Sequence, residues 1–317
     1  GTKSPYDALE KTKFGEEFVI LSRGDVKSDF YVEAYGLEGN SLLDDYIYER
    51  NRVIERDLDI TLNIIDGGDY NAVNIAVQNQ ASGGLDEYDV FTGHKFTFTA
   101  CAQNNYLLDM NDIDTVDLSN PWWDKTCRDN LTVNGRTVLM VGDILPSSLK
   151  ISSCLAFNKR ILNELNREAP YDAVREGKWT IDMLNEMTAD VTTDLNGDGK
   201  IKPQDDRFGM TSWYLNSPYD LYYGSGRVFI TINEDGLPEL SYSDDELIAI
   251  YDKIYSVIIT QKSNFITEIA ELDYDYQSFV SGRALVRTAS LGSLTSYSGE
   301  MEDDYGVLPQ PKYEERQ

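Results

Sequence analysis

The first third of the sequence alternates strand-like and helix-like hydrophobic patterns, and this alternation constrains the fold more than any other feature. Short apolar or alternating runs at residues 18–21, 60–65 and 88–91 are typical of β-strands. Between them, residues 42–57 and 73–81 carry apolar side chains at helical spacing. Strands that alternate with helices pair in parallel through right-handed crossovers, so we predict an open α/β sheet.

Each of these three strands ends in a glycine-containing break, at residues 22–25, 66–69 and 92–94. In an open α/β sheet ligands bind at the carboxyl ends of the strands, and all three breaks would lie on that edge. A glycine after a strand commonly makes only a turn, and this is the simpler interpretation of any single break. Three breaks on one edge favour a binding site.

The pattern changes near the middle of the chain. Asn134-Gly135 between two strand-like stretches predicts a two-residue hairpin, and the apolar pattern is interrupted at 142–146 before a strand at 151–157. Because 317 residues suffice for two domains, we predict a first α/β lobe at 1–143, a second at 144–317 and a hinge near 142–146. The second lobe is predicted to contain strands at 208–211 and 284–288, a hairpin at 233–238, and helices at 158–166, 180–190, 218–224, 244–260 and 273–281.

The charge of the chain narrows its partners. Twenty-eight basic and 55 acidic side chains give a formal net charge of −27. Such a surface repels phosphate backbones and anionic membranes, so nucleic acid is not an expected partner, and neutral or cationic ligands are favoured over anionic ones. No apolar run approaches the roughly 18 residues of a membrane span.

No catalytic motif stands out. The three cysteines, Cys101, Cys127 and Cys154, lack the spacing of a metal site, and they could include one disulfide or be free thiols. The sole histidine is His94, on which any Ser-His or Cys-His scheme would depend. Nucleophile-elbow, phosphate-loop and dinucleotide-binding motifs are missing from the sequence.

Residues 194–205 have the spacing of a calcium loop. Side-chain oxygens occupy loop positions 1, 3, 5 and 12, position 6 is Gly199, and position 7 would offer only a backbone carbonyl. The five predicted ligands are Asp194, Asn196, Asp198, Lys200 and Asp205. Ile201 at position 8 is expected to tuck inward as an anchor. The pattern favours a structural Ca²⁺, and the alternative is a solvated turn without metal.

A set of short stretches follows one order along nearly the whole chain. They are YIYERN at 46–51, LDIT at 58–61, YDV at 88–90, PWWD at 121–124, VGD at 141–143, FNK at 157–159, WT at 179–180, FG at 208–209, FVSGRAL at 279–285 and DYGVLP at 304–309. Their order and spacing resemble the extracellular solute-binding proteins of ABC importers, family 1, which carry sugars and oligosaccharides, in their Gram-positive form. Because family members continue past the last stretch, the resemblance implies that this chain is truncated at its C-terminus.

The resemblance implies a type II periplasmic-binding-protein-like fold. Two α/β lobes, each a mixed sheet flanked by helices, would be joined by crossing strands, with a second hinge near 305–311, and would close on a ligand like a clamp. The expected function is that of a non-catalytic, monomeric receptor that delivers an oligosaccharide to ABC transporter permease subunits. Its expected location is the cell surface, through an N-terminal lipid anchor outside this chain, or the periplasm.

Sugars present C–H faces that stack on aromatic rings and hydroxyls that need polar groups, so the candidate site residues combine both types. In the second lobe they are Trp213, Tyr214, Asn216 and Tyr219, which follow the strand at 208–211, together with Ser290 at the start of the helix after the strand at 284–288. In the first lobe they are Arg23, Asp69 and His94. Core packing is the alternative role of each aromatic residue, and it is the role expected of Trp122, Trp123 and Trp179.

Three other functions compete with the sugar receptor. A receptor for amino acids or peptides would use the same fold. A glycoside hydrolase would need a pair of carboxylates, which 55 acidic side chains make easy to find and uninformative. A dockerin-like module would use the calcium loop, but it needs a duplicated loop in a short chain.

Overall fold

The chain divides into two compact units. The computed structural model describes residues 6, 10–24, 34–268 and 272–315. One unit comprises residues 1–148 and 232–237, and the other comprises residues 149–231 and 238–317. The first unit thus extends past the predicted boundary at residue 143 and includes the tip of a hairpin expected in the second lobe. No helix in the described ranges has the length and apolarity needed to span a membrane.

The first unit is built around a three-stranded parallel sheet. Its elements are β1 Glu16–Ser22, α1 Leu42–Leu58, β2 Ile60–Asp66, α2 Tyr70–Gly83, β3 Val90–Thr92, α3 Lys95–Gln103, α4 Lys125–Leu131 and, at its end, the single turn α5 Ser147–Lys150. The strand order is β2-β1-β3, and Ser22 is in register with both Asp66 and Thr92. The prediction that the three breaks share one edge is therefore confirmed.

Capping residues fix the helices of this sheet. Helix α1 begins after Ser41, whose hydroxyl accepts a hydrogen bond from Asp44 N at 3.1 Å. Helix α2 begins at Tyr70, earlier than predicted, because Asp69 caps it. The core beneath these helices consists of Leu21, Val73, Val77, Phe98 and Cys101.

The turn predicted at Asn134-Gly135 is present, but the strands predicted on either side of it are not. Asn134 and Gly135 have φ angles of 51° and 74°, as a two-residue hairpin turn requires. Only one bridge, between Val133 and Arg136, flanks the turn, so the predicted hairpin has no strands.

Trp123 forms a bridge with Gly142, where a side chain would lie 2.7 Å from the Trp122 carbonyl oxygen. The Pro-Trp-Trp segment therefore has a packing role.

The second unit contains a five-stranded mixed sheet. Its elements are β4 Ser153–Asn158, α6 Lys159–Glu164, α7 Tyr171–Arg175, α8 Ile181–Thr188, β5 Phe208–Trp213, α9 Asn216–Gly224, β6 Ile230–Ile232, β7 Pro238–Leu240, α10 Asp244–Tyr255, β8 Asn264–Thr267, α11 Leu272–Val280, β9 Ala284–Ser290, α12 Leu294–Glu300 and β10 Tyr305–Leu308. The order is β10-β4-β9-β5-β8; β5 is parallel to β8 and β9, and β4 is antiparallel to β9 and β10.

Several boundaries in this unit differ from the sequence prediction. The strands β8 and β10 were not predicted, because each has only four residues and no clear alternation. The helix predicted at 244–260 ends at Tyr255 and continues as a π-helical turn over Ser256–Thr260. The cysteines Cys101, Cys127 and Cys154 are free thiols, which settles the pairing question that the sequence left open.

The sheet of the second unit is covered on both faces. Along β4, Leu155 and Phe157 belong to the large core on one face, and Ala156 between them belongs to the smaller core on the other. Trp179 is buried in the larger core and donates from Nε1 to Pro309 O at 3.0 Å. Its role is structural, as the sequence suggested.

A buried ion pair links the sheet to helix α11. Arg287 on β9 donates to Asp275 from Nε at 3.0 Å and from Nη2 at 2.8 Å, and both side chains are largely buried. The guanidinium also lies over the rings of Tyr276 and Tyr297. Removing one partner of such a pair leaves an uncompensated buried charge.

We expect Asp275→Ala to destabilise the protein by about 3–5 kcal/mol, because Arg287 would lose its buried counterion. Urea unfolding measures this directly. The control is Asp172→Ala, which breaks a solvent-exposed pair with Arg175 and should change the midpoint little. Equal unfolding midpoints for Asp275→Ala and the wild type would contradict the structural role of the pair.

Candidate ligand-binding edges

In the first unit, the carboxyl ends of β1, β2 and β3 place three predicted residues and two others close together. We call this group the first edge; its members are Arg23, Asp69, Tyr70, His94 and Phe96. The Arg23 guanidinium lies 5.4 Å from the centre of the Tyr70 ring. The Tyr70 ring lies 6.0 Å from the His94 ring, which lies 6.4 Å from the Phe96 ring. The edge therefore presents a row of aromatic rings beside a cation.

Backbone hydrogen bonds hold the first edge together. Arg23 N donates to Thr92 O at 3.1 Å, and Gly24 N donates to Gly68 O at 2.9 Å. Gly24 packs so closely that a Cβ there would lie 2.2 Å from Asp66 Oδ1. Gly24 thus lets the break after β1 approach the Asp66 side chain closely, and a larger residue there would require that side chain to move.

Asp69 and His94 have different local roles at this edge. Asp69 Oδ1 accepts hydrogen bonds from Asn71 N and Ala72 N, both at 2.9 Å, so this carboxylate caps helix α2. His94 precedes helix α3 without capping it by its side chain, and its ring is exposed. Asp69 is therefore a structural residue of the edge, whereas His94 belongs to its exposed aromatic surface.

Tyr70 and Phe96 were missed in the sequence, although a signal was present. Each follows a glycine-containing break within a few residues, where a side chain leaves the sheet edge. Tyr70 is 41% exposed and Phe96 is 77% exposed, which is unusual for large rings beside a core. An aromatic residue directly after such a break is the pattern that could have identified them.

In the second unit, strand register brings four polar or aromatic residues to one edge of the sheet, and helix α9 adds Asp220 as a fifth. We call this group the second edge; its members are Ser153, Trp213, Asp220, Ser290 and Gln310. Ser290 at the end of β9 is in register with Ser153 at the start of β4. Because β5 is parallel to β9 and β10 is antiparallel to β4, Trp213 and the segment after Leu308 reach the same edge.

Ser153 connects three of these side chains. Its Oγ accepts a hydrogen bond from Gln310 Nε2 at 2.8 Å and also bonds the Asp220 carboxylate. Burial raises the pKa of the Asp220 carboxyl, and the Ser153 hydrogen bond offsets part of that rise. Burial and the nearby Asp220 also raise the pKa of the Cys154 thiol to about 11. The second edge therefore contains a half-buried carboxylate in an environment that disfavours its charge.

The predicted residues Trp213, Tyr214, Asn216 and Tyr219 lie where β5 passes into α9. The Trp213 and Tyr214 rings meet edge to face at 6.1 Å, and Tyr214 N donates to Thr267 O at 3.1 Å. Tyr214 and Tyr219 are 38% and 49% exposed, and Asn216, the first residue of α9, is also exposed. This segment presents exposed rings and an amide next to the second edge.

Ser290 differs from its predicted place. We expected it at the start of a helix, but it is the last residue of β9, and α12 begins at Leu294. Its N–H donates to Ser293 Oγ at 3.0 Å, and its hydroxyl accepts from Ser293 N at 3.3 Å. Ser290 therefore closes a local turn at the edge.

The loop at 194–205 is closed by hydrogen bonds from its own backbone. Asp194 accepts from Gly197 N at 2.7 Å and from Gly199 N at 2.8 Å. Asn196 Oδ1 accepts from Asp198 N at 2.9 Å. The side chains at loop positions 1 and 3 thus accept hydrogen bonds from the backbone of the turn, and Asp194 does so through both of its oxygens.

The end of the loop departs from the prediction. Asp205 is exposed, whereas the next residue, Asp206, is fully buried and accepts backbone N–H groups at 2.9 and 2.8 Å. Asp198 Oδ1 accepts from Lys200 N at 2.8 Å, and its other oxygen pairs with Lys202 Nζ at 3.1 Å. The hydrogen bond from the Lys200 backbone N–H is the first cause that lowers the Asp198 pKa.

Ile201 was expected to turn inward, but it is exposed, because the buried Asp206 takes the anchoring role. Within the described ranges, no three His, Cys, Asp or Glu side chains group closely enough to hold a metal ion. The loop as it stands lacks the converging carboxylates of a calcium site. Calcium binding here stays a prediction of the sequence.

If calcium binds this loop, we expect it to do so only at about 10⁻⁴–10⁻³ M, because Asp205 is turned outward and Lys202 competes for Asp198. Thermal melting in EDTA and in increasing calcium would show a rise of the melting temperature in that range, lost in Asp194→Ala. An unchanged melting temperature at 10 mM calcium, well above this range, would show that the loop is only a turn.

Asp220→Asn should raise the melting temperature at pH 7. The pKa of Asp220 is raised in the folded state, so its ionisation opposes folding above that pKa, and asparagine still accepts from Ser153. The gain should vanish below about pH 3.9, where the carboxyl is protonated in both states. Asp172→Asn is the exposed control, and a lower melting temperature of Asp220→Asn at pH 7 would contradict this account.

No protein-family model matches the sequence, and no curated protein sequence matches it. The fold, however, matches solved structures. A cyclo/maltodextrin-binding protein complexed with maltotetraose aligns with a TM-score of 0.62 and 15% identity, over 93% of this chain and 65% of that protein. The ABC substrate-binding protein Lmo0181 from Listeria monocytogenes, in complex with cycloalternan, aligns with a TM-score of 0.55 and 17% identity, over 94% and 68%.

A family 1 extracellular solute-binding protein from Bifidobacterium longum subsp. infantis gives a TM-score of 0.55 and 15% identity, over 95% of this chain and 68% of that protein. This chain thus spans 65–68% of the length of these three proteins. Similarity at such low identity concerns the fold. The chain has a mixed α/β fold in two compact units, and this fold is similar to that of these three solute-binding proteins.

Proposed function

We propose that this protein is a non-catalytic receptor that binds a carbohydrate, an oligosaccharide, and delivers it to the permease subunits of an ABC transporter. The observation that carries the proposal is that both edges expose aromatic rings beside hydrogen-bonding groups. On the first edge these are the rings of Tyr70, His94 and Phe96 beside Arg23. On the second they are the rings of the 213–219 segment beside Asp220.

This combination suits the two surfaces of a sugar. The C–H faces of a pyranose ring are apolar and stack on aromatic rings, whereas its rim of hydroxyls needs donors and acceptors. Exposed rings at strand ends otherwise cost solvation without a packing gain. A sugar would cover them and satisfy the polar groups beside them.

The overall charge supports a neutral ligand. With a net charge of −27, the protein repels phosphorylated or carboxylated ligands at long range. Solved proteins of the same fold are described in complex with maltotetraose and with cycloalternan, both carbohydrates. The charge and these ligands favour an uncharged oligosaccharide over an anionic solute.

The proposed function also implies where the protein works. A receptor that delivers sugar to an importer works on the outer side of the membrane, so we propose an extracellular or periplasmic location. Attachment through an N-terminal lipid and a monomeric state are part of this proposal. The permease is the protein partner that the fold supports.

Isothermal titration with maltotetraose and other neutral oligosaccharides tests the function. We expect saturable binding to at least one of them, and roughly 2- to 12-fold weaker binding by Tyr70→Ala and by Trp213→Ala, because each removes a ring. Tyr255→Ala is the matched control: this exposed tyrosine ends α10, which leads to the start of β8 at the opposite edge of the sheet.

Two outcomes would overturn the proposal. Binding of amino acids or peptides, with no response to any oligosaccharide, would make the protein a receptor for another solute. Release of reducing sugar from a bound oligosaccharide, abolished by replacing a carboxylate, would make it a glycoside hydrolase.

A further inference from the structure

Two side-chain atoms at the second edge are buried without a hydrogen-bond partner in the described part of the chain. They are the acceptor Gln310 Oε1 and the donor Trp213 Nε1. Three similar atoms, of Thr192, Arg207 and Asn264, lie around the starts of β5 and β8, at the opposite edge. Buried polar atoms without partners are uncommon in native structures, so each needs a physical explanation.

What distinguishes the second edge is the half-buried carboxylate of Asp220. None of the ion pairs among the described residues includes Asp220, and its one side-chain hydrogen bond is to Ser153. The Ser153 hydroxyl has a single proton, and its oxygen already accepts from Gln310 Nε2 at 2.8 Å. Ser153 can therefore give Asp220 one hydrogen bond, and the remaining lone pairs of the carboxylate have no donor from this group.

The three hydrogen-bonding groups of this edge match one kind of ligand. Asp220 and the Gln310 oxygen require donors, and the Trp213 indole requires an acceptor. Neighbouring sugar hydroxyls provide both, because each O–H donates once and accepts through its oxygen. An ammonium group of an amino sugar would provide the donors as well, and it would also neutralise the carboxylate.

We propose that Asp220, Gln310 and Trp213 form a specificity site that selects ligands with adjacent O–H or N–H donors and rejects anionic ligands. This inference rests on the proposed function and adds the basis of ligand choice. Anionic ligands are rejected because of charge. A ligand carboxylate or phosphate at this edge would lie near the Asp220 carboxylate, which has no paired cation among the described residues. The resulting repulsion favours neutral or cationic sugars.

The test is a titration series on the intact chain with three tetrasaccharides. The probes are maltotetraose, which is neutral, a glucosamine tetramer, which is cationic, and a galacturonic acid tetramer, which is anionic. We expect Asp220→Asn to weaken binding of the neutral or cationic probe about 10- to 100-fold, as for a hydrogen bond to a charged group. Gln310→Met removes the neutral Oε1 acceptor together with the Nε2 donor to Ser153, and it should weaken binding roughly 2- to 12-fold.

Asp172→Asn serves as the matched control, since this carboxylate is solvent-exposed on α7 and pairs only with Arg175 among the ion pairs described. Its affinities should equal those of the wild type. A larger loss for the glucosamine tetramer identifies an ammonium as the partner of Asp220, and a larger loss for maltotetraose identifies hydroxyls. Melting temperatures of the ligand-free variants verify that they are folded.

Failure of the inference can be told apart from failure of the function. If a sugar binds the wild type and both site variants bind it within twofold, the receptor function stands and the specificity site is wrong. Tighter binding of the anionic tetramer than of the other two also overturns the site. If none of the three probes nor any other oligosaccharide binds the wild type, the carbohydrate function is wrong and the inference falls with it.

Discussion

Strand register is the constraint on which both edges depend. In the first sheet, the pairing of Ser22 with Asp66 and with Thr92 makes three chain segments leave the sheet at one level. In the second sheet, the pairing of Ser153 with Ser290 brings the start of an antiparallel strand to the ends of parallel ones. A shift of one residue would turn each strand's side chains to the opposite face, so the buried cores hold the edges in place.

Much of the fold could be predicted because the information is local. The strands and helices of the first unit follow hydrophobic periodicity, and the parallel sheet follows from their alternation. The short strands β8 and β10 could not be predicted in this way, because four residues carry too little pattern and only their partners make them strands. The turn at Asn134-Gly135 was predicted from its own two residues. The strands expected on either side of it do not form.

The site was predictable only in part, for a related physical reason. Arg23, His94 and the 213–219 segment lie next to strand ends that the sequence marks with glycine or with an apolar run. Ser153 and Gln310 are separated by 157 positions and meet only through the pairing of β10 with β4. Local spacing also left out the surroundings of two carboxylates. Asp69 caps helix α2, and Asp206, rather than Asp205, is the buried carboxylate at the end of the loop.

The second edge keeps polar groups at a cost to stability that packing alone does not explain. A ligand that satisfies them would explain it.

Four tryptophans give four indole N–H signals in a nitrogen–proton NMR spectrum, and Trp213 and Trp179 differ in a useful way. The Trp213 N–H has no acceptor among the residues that the structure describes, whereas Trp179 donates to Pro309 O. Titration with the bound oligosaccharide should shift the Trp213 signal downfield and leave the Trp179 signal in place. Saturation with the sugar while the Trp213 signal does not move would contradict the account.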